Sequence, residues 1–482
     1  MAGEDCHRRH GAGDDNDRIS GLPDDLLHRI LLRLGSTRAA ARTSVLSCRW
    51  RRVWAHLPDL RLGTCDDHPG ATRLDTVERA LDAYAAPAVR RLDVAMHCHG
   101  LRVRACGVAT WLRFASQHRV RKLDIVVPSQ TRFLFVRPRA RATELEEELE
   151  LPVWDEAARI RLTLEQRWRL RLRSAGVFTA LTDLHISLAT MEASELGTLV
   201  SSQCPRLTNL YLLVTLAATS NVSIRSDSLR SLQIRVENIH RLEVIASNLE
   251  VPAMSDASEA HVSAPKLEEV TWDGDIAYDP RRHCFPDAGR HIRLLDLGSK
   301  CVATSLLQRF DKADVLKLSL NLCDRTGTVG YTSFVNETTK FPKCETLRLR
   351  VSLGDFYHNF ASSMLHLLRS CNSTRKVSVK VDSGLPMKRY PCLLSCHCRL
   401  PESRKADDIT LDALEEAKIT SIRSSNEEVQ FVEQLARCHA PSLKKVVINC
   451  ERCSDGPPTQ ELQEKISRMF YPDVDVKFNV TY

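Results

Sequence analysis

A short apolar motif recurs along most of the chain. From residue 89 onward, two apolar residues flank a variable one, often after a further Leu, as in Leu92-Asp93-Val94 and Leu347-Arg348-Leu349. Because successive side chains of a strand point to opposite faces, each copy predicts a short strand whose apolar residues point inward. Six pairs of adjacent copies begin 22 to 31 residues apart, so the pattern predicts a stack of similar units.

A single strand of this kind cannot cover its own apolar face, and stacked neighbours cover it instead. Periods of roughly 20–29 residues are typical of leucine-rich repeats. The pattern therefore predicts an α/β protein in which residues 61–385 form an irregular leucine-rich-repeat solenoid with a mostly parallel sheet. Helices are expected between strands, for example at 108–118 and 360–370, and compact turns with few helices at 220–272.

One segment, residues 137–173, interrupts this spacing and is predicted to be an insertion. It includes the acidic run 144–152, for which we expect a solvated loop or helix, because charge runs usually lie on the surface. The ten Arg of residues 132–173 are accompanied by eight acidic residues. A surface that follows nucleic-acid phosphates would not carry so many carboxylates, so no nucleic-acid partner is expected.

The N-terminal segment has a helical pattern instead. Pro23 fits a first helical position and Gly35 a C-terminal cap. A second short helix is predicted at 38–43, and Pro58 ends a third. The apolar residues that recur at helical spacing are Leu26, Leu27, Ile30, Leu31 and Leu34 in the first helix and Leu46, Trp50, Val53, Trp54 and Leu57 in the third.

Three short helices within residues 22–58 bury too little surface to be stable alone. They nevertheless carry two strongly apolar faces, so something must cover the surplus. Two interpretations stay open at this point: the segment packs on the rest of this chain, or another protein covers it.

The order and spacing of these residues resemble an F-box, and more narrowly the F-box of the large plant F-box/leucine-rich-repeat families. The residues that carry the resemblance are the run Leu22-Pro23-Asp24-Asp25-Leu26-Leu27, then Ile30 and Leu31, then the run Val45-Leu46-Ser47-Cys48-Arg49-Trp50-Arg51 and Trp54. Many relatives carry Lys where this chain has Cys48, a change that removes a charge and leaves the apolar face intact.

The resemblance implies an interface with a Skp-type adaptor, which connects an F-box protein to a cullin scaffold. By matching position, Leu22 and Pro23 would enter a groove of the adaptor. The other matching residues would supply either the contact or the small core beneath it, and the sequence does not separate the two roles. The residues assigned to adaptor binding are Leu22, Pro23, Leu26, Leu27, Ile30, Leu31, Val45, Leu46, Trp50 and Trp54.

The C-terminal region has a strand–helix–strand pattern, with a strand at 417–422, a helix at 427–438 and a strand at 443–448. This segment resembles the C-terminal FBD region of plant F-box proteins. The expected organisation is a disordered tail at 1–17, an F-box at 18–60, the leucine-rich-repeat domain at 61–385 and an FBD-like region at 386–482.

Composition narrows the class of protein. Net charge is +7 with a pI near 8.6, and only 6% of residues are aromatic, which suits stacked aliphatic layers. The N-terminus lacks the apolar core of a signal peptide, and no apolar run approaches the roughly 20 residues that span a bilayer. Seventeen cysteines without a disulfide-like spacing predict reduced thiols, and therefore a cytoplasmic or nuclear protein without a membrane partner.

The common catalytic motifs are absent from the sequence: it contains no GxxxxGK[ST], HExxH or GxSxG. Zinc needs four ligands in tetrahedral array, usually from two paired spacings. The cysteine and histidine groups are too raggedly spaced for that, so no metal or cofactor is predicted: Cys392, Cys396, His397, Cys398, Cys438, His439, Cys450 and Cys453. Trp111, Trp154, Trp168 and Trp272 are expected to pack in the core or within the insertion rather than to form a stacking platform.

The leading hypothesis is a non-catalytic, substrate-recognising subunit of an SCF (Skp-cullin-F-box) ubiquitin ligase, which tethers a protein substrate near the conjugating enzyme. The alternative is a repeat-based interaction scaffold that never assembles with a cullin. An enzyme has no supporting cluster of residues. Strand alternation gives the outward-facing candidates for binding the unidentified protein substrate: His185, Ser187, Tyr211, Gln233, Arg235, Ser319, Asn321, Arg348 and Arg350.

Overall fold

The computed structural model describes residues 22–47, 49–63, 73–96, 103–128, 147–173, 176–255, 257–274, 276, 278–298, 304–321, 343–353, 356–357, 360–371, 373–383, 390–391, 409–420, 426–451 and 460–481. The chain divides into an N-terminal unit, Met1–Leu181, and a C-terminal unit, Thr182–Tyr482. The predicted tail at 1–17 lies outside the described residues.

Helices lie at the three places predicted near the N-terminus. The first begins one residue later than expected, because Pro23 stands before it in an extended conformation. Ser36 starts the second, and its hydroxyl accepts a hydrogen bond from the Ala39 N–H at 3.4 Å. The third is an α-helix of one turn that continues as the 3₁₀ turn Trp54–His56. The α-helices are α1 (Asp24–Arg33), α2 (Thr37–Arg42) and α3 (Trp50–Val53).

The rest of the N-terminal unit is built from parallel strands. Its described strands and remaining helices are β1 (Asp59–Leu62), α4 (Arg73–Asp82), β2 (Arg91–Ala95), α5 (Ala105–Gln117), β3 (Lys122–Val126), β4 (Glu147–Leu151), β5 (Arg159–Thr163) and β6 (Trp168–Leu172). β1, β2, β3 and β5 pair in that order, and β4 pairs with β6. Trp111, Trp154 and Trp168 are buried, so their expected packing in the interior is confirmed.

The acidic run at 144–152 differs from its prediction, since its described part is neither loop nor helix. It forms the strand β4, in which Leu149 and Leu151 are buried. The alternation of Glu and Leu has a period of two, which is a strand pattern, and this periodicity outweighs the charge of the run. Residues 147–173 contain the three strands β4, β5 and β6.

The C-terminal unit is likewise built mainly from parallel strands. Its strands are β7 (Asp183–Met191), β8 (Asn209–Arg225), β9 (Ser231–Ile245), β10 (Val251–Ser255), β11 (Glu259–Ser263), β12 (Glu269–Trp272), β13 (His283–Cys284), β14 (His291–Leu297), β15 (Lys312–Asn321), β16 (Lys343–Leu353), β17 (Phe356–Tyr357), β18 (Lys376–Ser383), β19 (Tyr390–Pro391), β20 (Glu416–Thr420), β21 (Lys445–Glu451) and β22 (Asp475–Thr481). Its α-helices are α6 (Ala193–Thr198), α7 (Thr304–Arg309), α8 (Phe360–Arg369), α9 (Asn426–Arg437) and α10 (Gln460–Ser467).

All of these strand pairings are parallel. β7, β8 and β9 pair in sequence, and β9 then pairs with both β10 and β11. From β10 the order is β12, β14, β15, β16, β18, β20, β21 and β22. A parallel sheet in this order requires a connection between each pair of strands, and helices α7, α8, α9 and α10 lie in four of these connections.

The inner face of this sheet is aliphatic. Alternate residues such as Leu316, Leu347 and Val379 are buried, as the recurring motif predicted. Helices α8 and α9 lie together, with the rings of Phe360 and Phe431 5.3 Å apart between centroids. The predicted helices at 108–118, 360–370 and 427–438 are present within a few residues of their expected limits.

The region at 220–272 is more extended than the compact turns that the sequence suggested. β8 is 17 residues long and β9 is 15, and a register shift lies between them at Thr215 and Ser220. Asn238 has a positive φ of 63° inside β9. Asn tolerates this left-handed conformation better than most residues, so the long strand can bend there without ending.

Candidate protein-interaction surfaces

Exposed apolar side chains concentrate near the N-terminus. Eight large apolar side chains of the described residues are exposed, and five of them lie on the N-terminal helical segment: Leu26, Ile30, Leu34, Val45 and Leu46. We call these five residues the apolar helical face. Val45 is 87% exposed and Leu46 65%. Large exposed apolar patches on folded proteins are characteristic of interaction sites.

The same helices also bury a separate apolar set. Leu27, Leu31, Trp50 and Val53 are at most 5% exposed and form the core of the helical segment. Leu22 and Trp54 are half-buried, and Pro23 is exposed. The structure thereby separates the two roles that the sequence left together: Leu27, Leu31 and Trp50 are core residues, whereas Leu26, Ile30, Val45 and Leu46 face outward.

Polar contacts hold the start of α1 against α3. The Arg49 guanidinium donates hydrogen bonds to the Asp24 carboxylate and to the Leu22 carbonyl, each at 2.5 Å. The His28 Nε2 lies 3.0 Å from the Val53 carbonyl oxygen. Since the Arg49 and Asp24 side chains are 38% and 62% exposed, we attribute a positional role to this ion pair rather than a large contribution to stability.

The helical segment is also tied to the sheet of its own unit. The Thr37 hydroxyl accepts a hydrogen bond from the Arg61 N–H in β1 at 2.7 Å. The Tyr84 hydroxyl donates to the Leu57 carbonyl at 2.9 Å, and burial raises the pKa of Tyr84 to about 12. Beside these contacts, each of the five residues of the apolar helical face is at least 40% exposed among the described residues.

The outer face of the C-terminal unit's sheet carries the residues predicted to contact a substrate. Near its first strands, the rings of His185 and Tyr211 stack 4.0 Å apart at an angle of 3°. Gln233 follows Tyr211 in register on β9 and is exposed. Arg235 forms an ion pair with Asp273 at 2.9 Å. These side chains lie on neighbouring strands and form one group.

Ser187 differs from its prediction, because it is only 5% exposed although its hydroxyl lies 3.3 Å from the His185 ring. The next residue, Leu188, has a positive φ of 58° at a break in the register between β7 and β8. A bulge changes the direction of neighbouring side chains, so simple alternation fails at this point.

A second group of predicted residues lies several strands away. Ser319 pairs in register with Arg350, whose guanidinium forms an ion pair with Asp382 at 2.5 Å. Arg348 is exposed two residues earlier on the same strand. Asn321 ends β15, and its side chain lies outside the described set. The two groups of predicted residues are therefore not brought together.

Sequence reasoning missed several exposed residues of these surfaces. Lys376, Lys380 and Lys418 share the outer sheet face with Arg348. Strand alternation around Val377-Ser378-Val379 would have indicated the first two. Leu34 belongs to the apolar helical face, and it was recognised as part of the helical pattern but not as a contact residue.

The cysteines and histidines of the described residues show no reactive centre. No group of three or more metal-binding side chains occurs among them. The His261 Nδ1 lies 2.9 Å from the Cys284 sulfur, but burial raises the pKa of that thiol, which favours the protonated form over a nucleophilic thiolate. Burial also raises the pKa of Cys204 to about 12. Cys392, Cys396, His397, Cys398 and Cys453 lie outside the described residues.

Among the helices that the structure describes, none is long and apolar enough to cross a membrane. The described surfaces offer apolar side chains on the N-terminal helices, and ring and charged groups on a sheet.

Comparison with known proteins adds a family context. Residues 108–272 match the family model described as FBD-associated F-box protein At5g56370, LRR repeats. The chain is 35% identical to the FBD-associated F-box protein At5g38570 of Arabidopsis thaliana over 24% of this chain and 30% of that protein. It is 32% identical to F-box protein At5g03100 of the same plant over 25% of this chain and 37% of that protein.

A longer match runs along most of the chain. The FBD-associated F-box protein At5g56440 of Arabidopsis thaliana is 24% identical over 88% of this chain and 97% of its own length. The matches to At5g38570 and At5g03100, by contrast, span less than two thirds of those relatives. The parallel strands of residues 108–272 are thus a leucine-rich-repeat region of mixed α/β structure.

Proposed function

Since this chain is similar to the plant F-box/leucine-rich-repeat proteins with an FBD region, we propose that it is the substrate-recognition subunit of an SCF-type ubiquitin ligase. In this proposal residues 18–60 bind a Skp-type adaptor and, through it, a cullin, while the repeats at 61–385 bind a protein substrate. The FBD-like region occupies 386–482. The protein acts by tethering, which raises the effective concentration of the substrate, and performs no covalent step. Its place of action is the cytoplasm or the nucleus.

The apolar helical face is the observation that carries this proposal. A stable protein interface needs a dehydrated apolar centre with a polar rim. Val45 and Leu46 are the most exposed of its five residues, and the exposed Asp24 and Arg49 supply charges nearby. In the proposal this face contacts the adaptor, and Leu22 and Pro23 enter a groove of the adaptor. The buried Leu27, Leu31 and Trp50 support the contact from beneath.

The outer sheet face supports the second half of the proposal. A parallel stack of strands presents a row of side chains that no helix of the same unit needs to cover. The stacked His185 and Tyr211 and the charged Arg348 and Arg350 lie on such rows. Stacked rings and arginines are frequent anchors at protein interfaces, which is why we assign the substrate to this face.

Co-purification with a plant Skp-type adaptor tests the first half. The full chain is co-expressed with the adaptor and analysed by size-exclusion chromatography. We compare wild type with Val45→Glu/Leu46→Glu and with Leu22→Ala/Pro23→Ala. The matched control is Val177→Glu/Ile245→Glu, which places the same charges at two exposed apolar residues outside the apolar helical face.

We expect a stoichiometric complex with wild type and with the control, and none with Val45→Glu/Leu46→Glu or with Leu22→Ala/Pro23→Ala. Circular dichroism of each variant verifies that the fold is intact. If wild type binds no adaptor, the protein is instead a repeat-based interaction scaffold that does not join a cullin. If the Val45→Glu/Leu46→Glu variant binds as well as wild type, the apolar helical face is not the adaptor site.

A further inference from the structure

Four cations surround one serine on the outer sheet face. Ser378 lies in the middle of β18, with Arg348 directly beside it on β16 and Lys418 directly beside it on β20. Lys376 and Lys380 lie two residues before and after it on its own strand. We call these four cations the cation cluster.

The dimensions of a sheet place these charges close together. Neighbouring strands are about 4.8 Å apart, and residues two positions apart on a strand are about 6.7 Å apart on the same face. All four cationic side chains are exposed, and Ser378 is half-buried between them. One anionic group above Ser378 is therefore within reach of all four cations and of a hydroxyl donor.

Two members of the cation cluster, Arg348 and Lys418, form no ion pair with the described residues. Lys376 interacts electrostatically with Glu415, but that carboxylate is paired with Arg375 at 2.9 Å. Lys380 lies 3.8 Å from Asp382, but that carboxylate is shared with Arg350 at 2.5 Å. Such a concentration of unpaired charge on a folded surface is repulsive, and an anionic ligand would relieve the repulsion.

The nearby carboxylates are already engaged elsewhere. Glu416, beside Lys376 in register, pairs with Lys445 at 2.8 Å. On the other side, Asp296 pairs with Lys317, which stands beside Arg348 in register. The ion pairs on either side thus leave the positive charge concentrated around Ser378.

We propose that the cation cluster around Ser378 docks an acidic segment of a protein, one whose Glu, Asp or phosphorylated residue seats over Ser378. This rests on the proposed function, because it names the class of substrate that the sheet would recognise. An extended segment suits the site, since the cations are arranged both along one strand and across three. Charge-assisted hydrogen bonds from lysine and arginine to carboxylate or phosphate oxygens supply the affinity.

The composition of the surrounding face favours a protein over a nucleic acid. Proteins that bind single-stranded nucleic acids combine a continuous positive groove with aromatic rings on which bases stack. The outward-facing residues of β16, β18 and β20 contain no aromatic ring, and they include Asp382 and Glu416. Without rings on which bases could stack, this face favours a short acidic peptide over a single-stranded nucleic acid.

Fluorescence anisotropy with labelled probes tests this inference on the full chain. Four probes are used: a Gly/Ser peptide with four Glu, the same peptide with four phosphoserines, the same peptide with four Gln, and a thymidine oligonucleotide of equal length. The test variant is Arg348→Glu/Lys418→Glu. The control is Arg206→Glu/Arg241→Glu, which changes the net charge equally at two exposed residues of the same unit.

We expect wild type and the control to bind the Glu or the phosphoserine peptide, with weaker binding at higher salt. The test variant should lose about tenfold or more in affinity, because two attractions become repulsions. Whichever acidic peptide binds with the higher affinity shows whether the site prefers a carboxylate or a phosphate. The inference is overturned if neither acidic peptide binds more tightly than the Gln peptide, if the test variant binds like the control, or if the oligonucleotide binds more tightly than both acidic peptides.

Adaptor co-purification of the same preparations separates this inference from the proposed function. Arg348→Glu/Lys418→Glu should retain the adaptor, because its changes leave the apolar helical face intact. A protein that binds the acidic peptide and no adaptor would contradict the proposed function and leave the acidic-segment site standing. A protein that binds the adaptor and no acidic peptide would contradict only the inference made from the cation cluster.

Discussion

The helical segment at 22–58 and the sheet of the C-terminal unit differ in how completely they bury their apolar side chains. The sheet buries the apolar residue of each strand and turns charges outward, as with Val379 and Lys380. The helical segment buries Leu27 and leaves its neighbour Leu26 40% exposed. One surface is therefore suited to association by dehydration, and the other to association through charge.

The two regions differ because a strand of the sheet packs against more secondary-structure elements than the short helices do. A strand inside the stack has another strand on each side and helices beneath it, so its inner face is covered by the repeat itself. The short helices near the N-terminus have no further repeat of their own kind, and they leave five large apolar residues uncovered. An uncovered apolar surface in so small a segment supports the proposal that a partner covers it.

The sharpest test of this comparison places an acid on each face of one strand. Val379→Asp buries a carboxylate among the aliphatic residues of the inner face, where Val379 is 1% exposed, and we expect a loss of at least about 4 kcal/mol in stability. Ser378→Asp, one residue earlier, places the same group within the cation cluster. We expect its stability to stay within about 0.5 kcal/mol of wild type.

Thermal unfolding followed by circular dichroism distinguishes these outcomes. The melting temperature should fall by about 10 °C for Val379→Asp and hardly change for Ser378→Asp. Ser378→Asp should also weaken binding of the acidic peptide, since its carboxylate occupies the site. A similar loss of stability in both variants would mean that the two faces of β18 are equally enclosed, contrary to the exposures of Lys376 and Lys380.

A second pair of variants makes the same test in the helical segment. Leu27→Ala removes a fully buried side chain and should cost about 2–5 kcal/mol. Leu26→Ala should cost less than about 0.5 kcal/mol and weaken adaptor binding instead. Amide hydrogen exchange of residues 24–33 measures the local stability. Equal protection of these amides in both variants would remove the distinction between core and contact residues.

Much of the fold could be predicted from the spacing at which apolar residues recur in the sequence. The alternation in motifs such as Leu347-Arg348-Leu349 predicted which side chains are buried, and the resemblance to plant F-box/leucine-rich-repeat proteins is confirmed by the family matches. The strand at 147–151 was missed because its charge received more weight than its alternation of Glu and Leu. In physical terms, burial of alternate residues determines a strand even when the other residues are all acidic.

The residues that form the candidate surfaces were harder to predict from the sequence than the fold was. Which of Leu26 and Leu27 is buried depends on how α1 is rotated against α3, and this rotation comes from tertiary contacts such as that between His28 and the Val53 carbonyl. The cation cluster depends on register across β16, β18 and β20. Residues 348, 378 and 418 are far apart in sequence, so only the pairing of the strands brings them into one row.

A smaller effect is expected from the polar contact that orients the apolar helical face. Arg49→Ala removes the hydrogen bonds to Asp24 and to the Leu22 carbonyl and should cost about 1 kcal/mol. Faster hydrogen exchange at the start of α1 and adaptor affinity several-fold weaker than wild type are expected. Arg51→Ala, at an exposed neighbour in α3, is the matched control. Unchanged exchange in Arg49→Ala would show that aliphatic packing alone positions the face.

The smallest expected effect concerns His283, a polar residue buried among the apolar residues of the C-terminal unit. His283 is 1% exposed; its Nδ1 accepts a hydrogen bond from the Asp279 N–H at 2.8 Å, and its Nε2 donates to the Ala257 carbonyl at 3.1 Å. This arrangement needs the neutral ring, and burial lowers its pKa below the usual 6.5. Between the lowered pKa and 6.5 the unfolded chain therefore binds a proton that the folded chain does not, so stability falls as pH falls below 6.5.

Melting temperatures at pH 7.5 and 5.5 measure this dependence. We expect wild type to lose about 2 °C more between these values than His283→Gln, whose side chain does not titrate. His291→Gln is the control, since His291 is exposed and paired with Asp314, and it should retain the wild-type decrease that His283 causes. An equal decrease in wild type and His283→Gln would mean that water reaches the ring of His283. The inner side of the C-terminal sheet would then be less dry than its aliphatic residues indicate, and its contrast with the exposed helices would be correspondingly weaker.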